Sequence, residues 1–206
     1  GLGLLDEDGD QYLAFQFEKI ISVNELNIFG QHNISNVLAA VGLALAIGID
    51  LNIIRAAIKK FKGLPHRCEW VASVSGIDFY NDSKGTNVGA TMAAVEGLGQ
   101  HIDGHIILIA GGVGKGAEFR SLVPVINRWG KEVILIGQDA VEMASNFDKD
   151  INTYFATDME DAVTTAFEHG AAGDAVLLSP ACASFDMFDN FQHRGHSFIK
   201  SVEKLR

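Results

Sequence analysis

Four stretches of this 206-residue chain hold side chains whose types and spacing could do chemistry. The densest is Asn81-Asp82-Ser83-Lys84-Gly85-Thr86-Asn87, which sets a carboxylate, a cation and several hydroxyl and amide groups just ahead of an apolar helical pattern. A helix amino terminus favours anions through its free N–H groups and its dipole, and Lys84 and Thr86 would add charge-assisted donors. The same residues suit plain N-capping by Asp82, Ser83 or Thr86, and the local sequence does not choose between the two readings. Gly111-Gly112-Val113-Gly114-Lys115-Gly116 could bring backbone amides close to an anion, with Lys115 beside them. It is not a P-loop, which needs four residues between its glycines and a Ser or Thr after the lysine; no other stretch supplies that motif either. A tight strand-to-helix turn is its plain alternative.

The third stretch is Ser179-Pro180-Ala181-Cys182-Ala183-Ser184-Phe185-Asp186, whose backbone amides and Ser184 hydroxyl suit a carboxylate. A helix cap by Ser184 or Asp186 competes with that reading. Cys182 lies among small apolar residues with no base nearby, which reads as an inert thiol. The fourth, Gly30-Gln31-His32-Asn33-Ile34-Ser35-Asn36, places Asn33 and Asn36 on one helix face, where two carboxamides could bind a purine ring; capping plus solvation is the simpler account. Other patterns carry less. Asp6-Glu7-Asp8-Gly9-Asp10 misplaces the glycine of a calcium loop and reads as a hairpin turn. His193 and His196 lack a third ligand and read as exposed histidines, so no metal site is expected, and His101, His105 and His169 add no signal.

The elements that must position these residues fall into two regions. Residues 11–29 read as short strands, Tyr12 to Phe17 and Leu26 to Ile28, followed by a buried helix over 33–47 with Val37, Leu38, Val41 and Leu45 on one face. A helix over 51–61 stops at Lys62-Gly63-Leu64-Pro65, which sets a domain boundary between residues 62 and 63. Beyond it come a hairpin, 69–73 and 77–80, then helix 87–98, strand 105–110, helix 118–129, strand 132–136, helix 138–146, strand 151–155, helix 158–169, strand 174–179 and helix 186–204. Apolar strands alternating with helices predict an α/β, doubly wound, mostly parallel sheet of Rossmann-like type, which binds ligands at the carboxyl ends of its strands.

Composition narrows the classes. With 48% hydrophobic and 20% charged residues the chain is not disordered, and 16 Lys plus Arg against 26 Asp plus Glu, a net charge of −10, argue against a nucleic-acid partner. Two isolated cysteines read as reduced intracellular thiols. Polar residues break the uncharged run 26–49 below the ~20 apolar residues of a membrane span, and the amino terminus has no signal-peptide pattern. The start at Gly1, with no Met and strand-like sequence at once, reads as a cut inside a larger protein.

Gly30-Gln31-His32-Asn33, Gly63-Leu64-Pro65-His66-Arg67, Asn81 to Asn87, the loop 111–116 and Ser179 to Asp186 together resemble, in order and spacing, the Mur ligase family of bacterial peptidoglycan synthesis. The Asn-Asp-Ser-Lys and Ser-Pro-Ala-Cys-Ala-Ser segments are similar to its D-glutamate-adding branch rather than to the alanine-, diamino-acid- or dipeptide-adding ones. The resemblance implies that residues 1–62 are the tail of a central ATP-binding domain and 63–206 the C-terminal amino-acid-binding domain, without the UDP-binding domain, the true P-loop or the magnesium and carbamylated-lysine ligands. It implies ATP, Mg2+, D-glutamate and UDP-N-acetylmuramoyl-L-alanine as cofactors and substrates of a cytoplasmic, monomeric enzyme that is inactive as this fragment. By the same resemblance Asn33 and Asn36 contact adenine, Arg67 a phosphate and Asp82 the ribose. Lys84 is the catalytic lysine between nucleotide and acceptor, and Thr86, Lys115, Ser184, Phe191 and, through its backbone, Phe185 hold the two D-glutamate carboxylates. Two departures stand out: Val113 and Gly114 occupy the place of a common acidic residue, and Gly85 replaces a common alanine, an exchange expected to matter little. A stand-alone nucleotide or amino-acid binding module, or another amide ligase of the fold such as a folylpolyglutamate synthase, are the competing readings.

Overall fold

The computed structural model of the chain describes every residue except Phe29 and, for His32, only the backbone. The chain divides into two compact units, 1–63 and 64–206.

The first unit opens with an antiparallel meander, β1 (Leu2–Glu7), β2 (Asp10–Phe15) and β3 (Glu18–Ser22), in the order β1-β2-β3. Asp8 and Gly9 both take positive φ, 54° and 89°, the twist a two-residue hairpin favours, so the acidic run is a hairpin turn. Strand β2 ends at Phe15 because Gln16 and Phe17 also turn through positive φ. The strand expected at Leu26–Ile28 is absent; after a short 3-10 turn at Val23–Glu25 that stretch is irregular, and β1 and β3 carry the pairing instead. Helix α1 (Gln31–Ala46) and helix α2 (Leu51–Lys60) follow, the latter capped by the Asp50 carboxylate, which accepts the Asn52 N–H at 2.9 Å. Leu13, Ile21, Val37, Val41 and Ile54 form the core. The apolar run predicted a buried helix, but α1 is buried on one face only: Val37 and Val41 face the core, whereas Leu43 is 72% exposed.

The second unit begins with the hairpin β4 (Glu69–Val74) and β5 (Ile77–Asn81), turning at Ser75-Gly76. It continues through α3 (Val88–Gly99), β6 (Ile106–Gly111), α4 (Val123–Trp129), β7 (Gly130–Ile136), α5 (Ala140–Ser145), β8 (Asn152–Phe155), α6 (Met159–His169), β9 (Ala175–Leu178) and α7 (Phe191–Glu203). The sheet order is β4-β5-β9-β6-β7-β8, with every pairing parallel except β4 with β5. Ile107, Ile109, Val176 and Leu178 pack with Ala162, Val163 and Phe198 of α6 and α7. The alternate residues Ile106, Leu108 and Leu177 are equally buried, so both faces of the sheet are covered, as the continuous apolar strands require. Two expected helices start late. The one over 118–129 opens as a 3-10 turn at Phe119–Leu122, and α4 begins at Val123, where Pro124 in the first turn needs no donor. The last begins at Phe191, not 186, because the Asn190 carboxamide accepts the His193 N–H at 2.8 Å. No helix among the described residues is long and apolar enough to cross a membrane.

Candidate functional site

Strands β5, β9 and β6 are neighbours, so the loops after them, 82–87, 179–186 and 112–116, leave the sheet side by side at its carboxyl ends. Backbone hydrogen bonds stitch the three together. Ala181 N–H donates to the Gly85 carbonyl at 2.9 Å, Gly111 N–H to Pro180 at 2.9 Å, and Val113 and Ala183 exchange both bonds, at 2.9 and 3.0 Å. Gly112 permits this at φ 127°, since a Cβ there would lie 2.2 Å from the Ala183 oxygen.

Asp82 is buried. Its carboxylate accepts the Ser179 hydroxyl at 2.7 Å and the Cys68 N–H at 3.2 Å, while Thr91 Oγ1 lies 2.9 Å from Ser179 Oγ. Burial pushes the carboxyl up to about 6 against the opposing pull of these hydrogen bonds and of Arg67 and Arg194. None of Asp82, Ser83 or Thr86 caps α3; that role belongs to Asn87, which accepts the Ala90 N–H at 2.9 Å. Ser83 donates its hydroxyl to the Phe191 carbonyl at 2.8 Å and its N–H to Asn81 Oδ1 at 3.1 Å. Lys84 N–H donates to the His66 carbonyl at 3.0 Å, and its ammonium sits 4.5 Å from the centroid of the Phe191 ring, a cation–π contact. Thr86, half-buried, donates its N–H to the Lys84 carbonyl at 2.8 Å. An alanine in place of Gly85, expected to matter little, would not be neutral here, because a Cβ would lie 2.5 Å from Asp82 Oδ2 and 2.6 Å from Ser179 Oγ.

In the other two loops several of the amides expected to cradle an anion are engaged within the protein. The N–H groups of Gly111, Val113, Ala181 and Ala183 are already engaged, and Gly114 N–H donates to Asp139 Oδ2 at 2.7 Å. What the glycine loop presents outward is Lys115, exposed at φ 54°. Neither Ser184 nor Asp186 caps α7. Ser184 is buried with its carbonyl accepting the Phe188 N–H at 2.8 Å, and Asp186 accepts the Gln138 N–H at 2.7 Å. Phe185 is exposed and Phe191 half-buried. The Cys182 thiol, buried and pushed up to about 12 by desolvation, is as unreactive as its neighbours suggested; burial raises Cys68 as well.

Two residues escaped the sequence reading. Arg194 on α7 is 1% exposed, and all its bonds go to neutral acceptors: Nε to Ser83 Oγ at 3.0 Å, one amino group to the Ser83 carbonyl at 2.9 Å, the other to the Cys182 carbonyl at 3.1 Å. Burial lowers its pKa to about 10 against the pull of Cys182, Asp186 and Asp82. His66 is buried at φ 62°, with Asn81 Nδ2 2.9 Å from its Nδ1. The signal for both was Gly195, which lets α7 approach His66 so closely that a Cβ would lie 2.3 Å from Nδ1.

The remaining nucleotide contacts expected from the sequence divide between the units. Asn33 and Asn36 open α1 in the first, with Asn36 Nδ2 donating to Asn33 Oδ1 at 3.5 Å; Arg67, exposed, and Asp82 belong to the second. His193 and His196 are exposed, and among the described residues no three His, Cys, Asp or Glu side chains gather as a metal site would need.

The family profile of the Mur ligase, glutamate ligase domain, matches residues 66–182. The chain belongs to the Mur ligase family. It is 49% identical over 203 residues to the UDP-N-acetylmuramoylalanine--D-glutamate ligase of Pseudomonas aeruginosa and 46% identical to that of Legionella pneumophila, in each case over 98% of this chain and 45% of the relative. It thus spans less than half the length of these relatives. Among solved structures, it resembles the UDP-N-acetylmuramate-alanine ligase MurC of Thermotoga maritima (TM-score 0.68, 13% identity, 96% of this chain and 44% of that one). It also resembles the MurF ligase of Thermotoga maritima in complex with ADP (TM-score 0.68, 16% identity, 100% of this chain and 47% of that one). At these identities the likeness is one of fold.

Proposed function

We propose that this chain is the C-terminal portion of a ligase that adds D-glutamate to UDP-N-acetylmuramoyl-L-alanine at the expense of ATP, with residues 1–62 the end of its ATP-binding domain and 63–206 its amino-acid-binding domain. The observation that carries the reading is the 49% identity to a D-glutamate ligase across 98% of the chain. In the reaction ATP phosphorylates the carboxylate of the nucleotide-linked L-alanine, the D-glutamate amine attacks the acyl phosphate, and phosphate leaves from the tetrahedral intermediate. The share of this chain is positioning. Lys84 stands as the catalytic lysine between nucleotide and acceptor, while Thr86, Lys115 and Ser184 supply cationic or hydroxyl donors from three adjoining loops, and Phe191 and the Phe185 backbone complete the D-glutamate site. A dianionic amino acid needs donors at both ends, and hydrogen bonds to charged groups contribute roughly 1.5 to 3 kcal/mol each. Because several of the loop amides are engaged within the protein, these side chains carry much of the charge recognition, with the Phe185 backbone beside them. Asn33, Asn36, Arg67 and Asp82 form this chain's part of the nucleotide site. Magnesium would be held by the nucleotide and by parts of the ligase beyond this chain. The enzyme would act in the cytoplasm as a monomer.

The test is a chimera in which this chain replaces the matching C-terminal 45% of the Pseudomonas aeruginosa ligase. Formation of ADP should depend on both D-glutamate and UDP-N-acetylmuramoyl-L-alanine, with L-glutamate inert, and Lys84→Ala should abolish it. A folded chimera that prefers another amino acid would overturn the reading.

A further inference from the structure

We propose that His66 is a positioning residue: a neutral, Nε2-protonated imidazole that latches the Asp82–Lys84 loop and releases it on protonation. The assignment follows from the far end of Asn81. Its Oδ1 accepts the Ser83 N–H at 3.1 Å, and a backbone N–H can only donate, so the carboxamide cannot be turned the other way. Its NH2 therefore faces His66, 2.9 Å from Nδ1, and also lies 3.5 Å from the Glu69 carboxylate, a second acceptor. Nδ1 must then carry a lone pair, and the proton of the neutral ring is on Nε2. Protonating Nδ1 sets an N–H against an NH2, and the disturbance passes through Asn81 to the Ser83 N–H. The ring cannot retreat toward α7, where even a Cβ at Gly195 would lie 2.3 Å from Nδ1. The same residue also holds the loop from its backbone, since the His66 carbonyl accepts the Lys84 N–H at 3.0 Å.

Besides Asn81 on β5, the groups facing the ring come from two elements. On β4 is Glu69, whose carboxylate accepts the His66 N–H at 2.9 Å and favours a charged ring. On α7 is His196, its ring 5.0 Å away and opposing charge, and Phe191, whose ring lies 5.9 Å from His66 and 4.5 Å from the Lys84 ammonium. Burial is the larger influence and holds His66 below the usual histidine range. The ring is thus neutral at pH 7, and the latch opens only in acid. The consequence for catalysis rests on the role proposed for Lys84; the latch itself does not.

Long-range 1H–15N correlation of the imidazoles in the 206-residue chain tests it. His66 should show a lone-pair Nδ1 and a protonated Nε2 at neutral pH, and the Ser83 and Lys84 amides should shift in step with its titration, below the ordinary histidine range. Asparagine keeps an acceptor at the δ position and tolerates a left-handed φ, so His66→Asn should hold both amides at their neutral-state shifts and abolish the titration. His196→Asn should raise the His66 midpoint. A proton on Nδ1 at neutral pH, amides that ignore the His66 titration, or an unchanged titration in His66→Asn would each overturn the proposal. No arm uses a ligand, so a wrong assignment of the ligase reaction would leave these results unaffected.

Discussion

Asp82 is held in a place that suits its neutral form better than its charged one. With a folded pKa of about 6 against an ordinary 3.8, the folded chain binds more protons than the unfolded chain between those values. Its contribution to stability is therefore full below pH 3.8 and is lost as pH rises through about 6. Two pKa units correspond to roughly 3 kcal/mol, the order of the burden at neutral pH. Asp82→Asn, which can still accept the Cys68 N–H and meet the Ser179 hydroxyl, should stabilise the chain by about 1 to 3 kcal/mol at pH 7.5 and by almost nothing at pH 4. Urea denaturation at the two pH values measures this, and an equal effect at both would refute it. A buried carboxylate kept at such a cost is what a ligand-binding role would explain. Gly195 poses the opposite case: a helix-interior alanine ordinarily gains about 1 kcal/mol, yet here its Cβ would meet the His66 ring, so Gly195→Ala should destabilise by roughly 1 to 3 kcal/mol. Thermal denaturation gives the sign. The residue types of the site were legible because charged and hydroxyl groups after apolar strands are conspicuous in a sequence. Arg194 was not, since a buried arginine looks like any other cation on an amphipathic helix until its acceptors, two of them carbonyls, are seen.

Helix α7 shows how an element holds loops in place. Through Arg194 it grips the Ser83 and Cys182 backbones, and through the Phe191 carbonyl it accepts the Ser83 hydroxyl. Arg194→Met fills similar volume but leaves two buried carbonyls without these donors, each costing about 1 to 3 kcal/mol. The expected loss is about 3 kcal/mol or more, with faster amide exchange concentrated at 82–85 and 181–184; protection unchanged in those loops would show that Arg194 does not tie them. Asp139→Ala should loosen the neighbouring loop in the same way, reading out as faster exchange at Gly114, whose N–H it accepts. The alternation of apolar strands and helices in the second unit was legible because a parallel sheet buried on both faces demands continuous apolar runs. The helix starts were not. Asn87 and Asn190 cap α3 and α7, while Asp82, Ser184 and Asp186 face other partners, because the stitching between loops decides where each helix can begin. The short strand β3 also escaped, because a small meander takes few residues per strand, whereas β1 showed only as strand-like sequence at the start of the chain.

At the scale of the molecule the chain has a net charge of −10 and divides into two compact units. The expected adenine contacts, Asn33 and Asn36, belong to one unit, and Arg67, Asp82 and every proposed D-glutamate contact to the other. Catalysis by positioning demands that all these groups meet the reactants at once, since misplacement of about 1 Å can cost ~100-fold in rate. The acyl phosphate must form before the amine can attack, and no described stretch of this chain supplies the phosphate loop that such a step calls for. The 206-residue chain by itself should therefore release no ADP from ATP, UDP-N-acetylmuramoyl-L-alanine and D-glutamate, while the chimera with the remainder of a relative does so. Isothermal titration should likewise find weak D-glutamate binding to the chain alone, because a few placed cations, Arg67, Lys84 and Lys115, must draw an anion to a surface of the same sign without the closed site around it. Turnover by the isolated chain, or tight D-glutamate binding to it, would mean that the three stitched loops form a self-sufficient site and would favour a stand-alone binding module over a ligase portion.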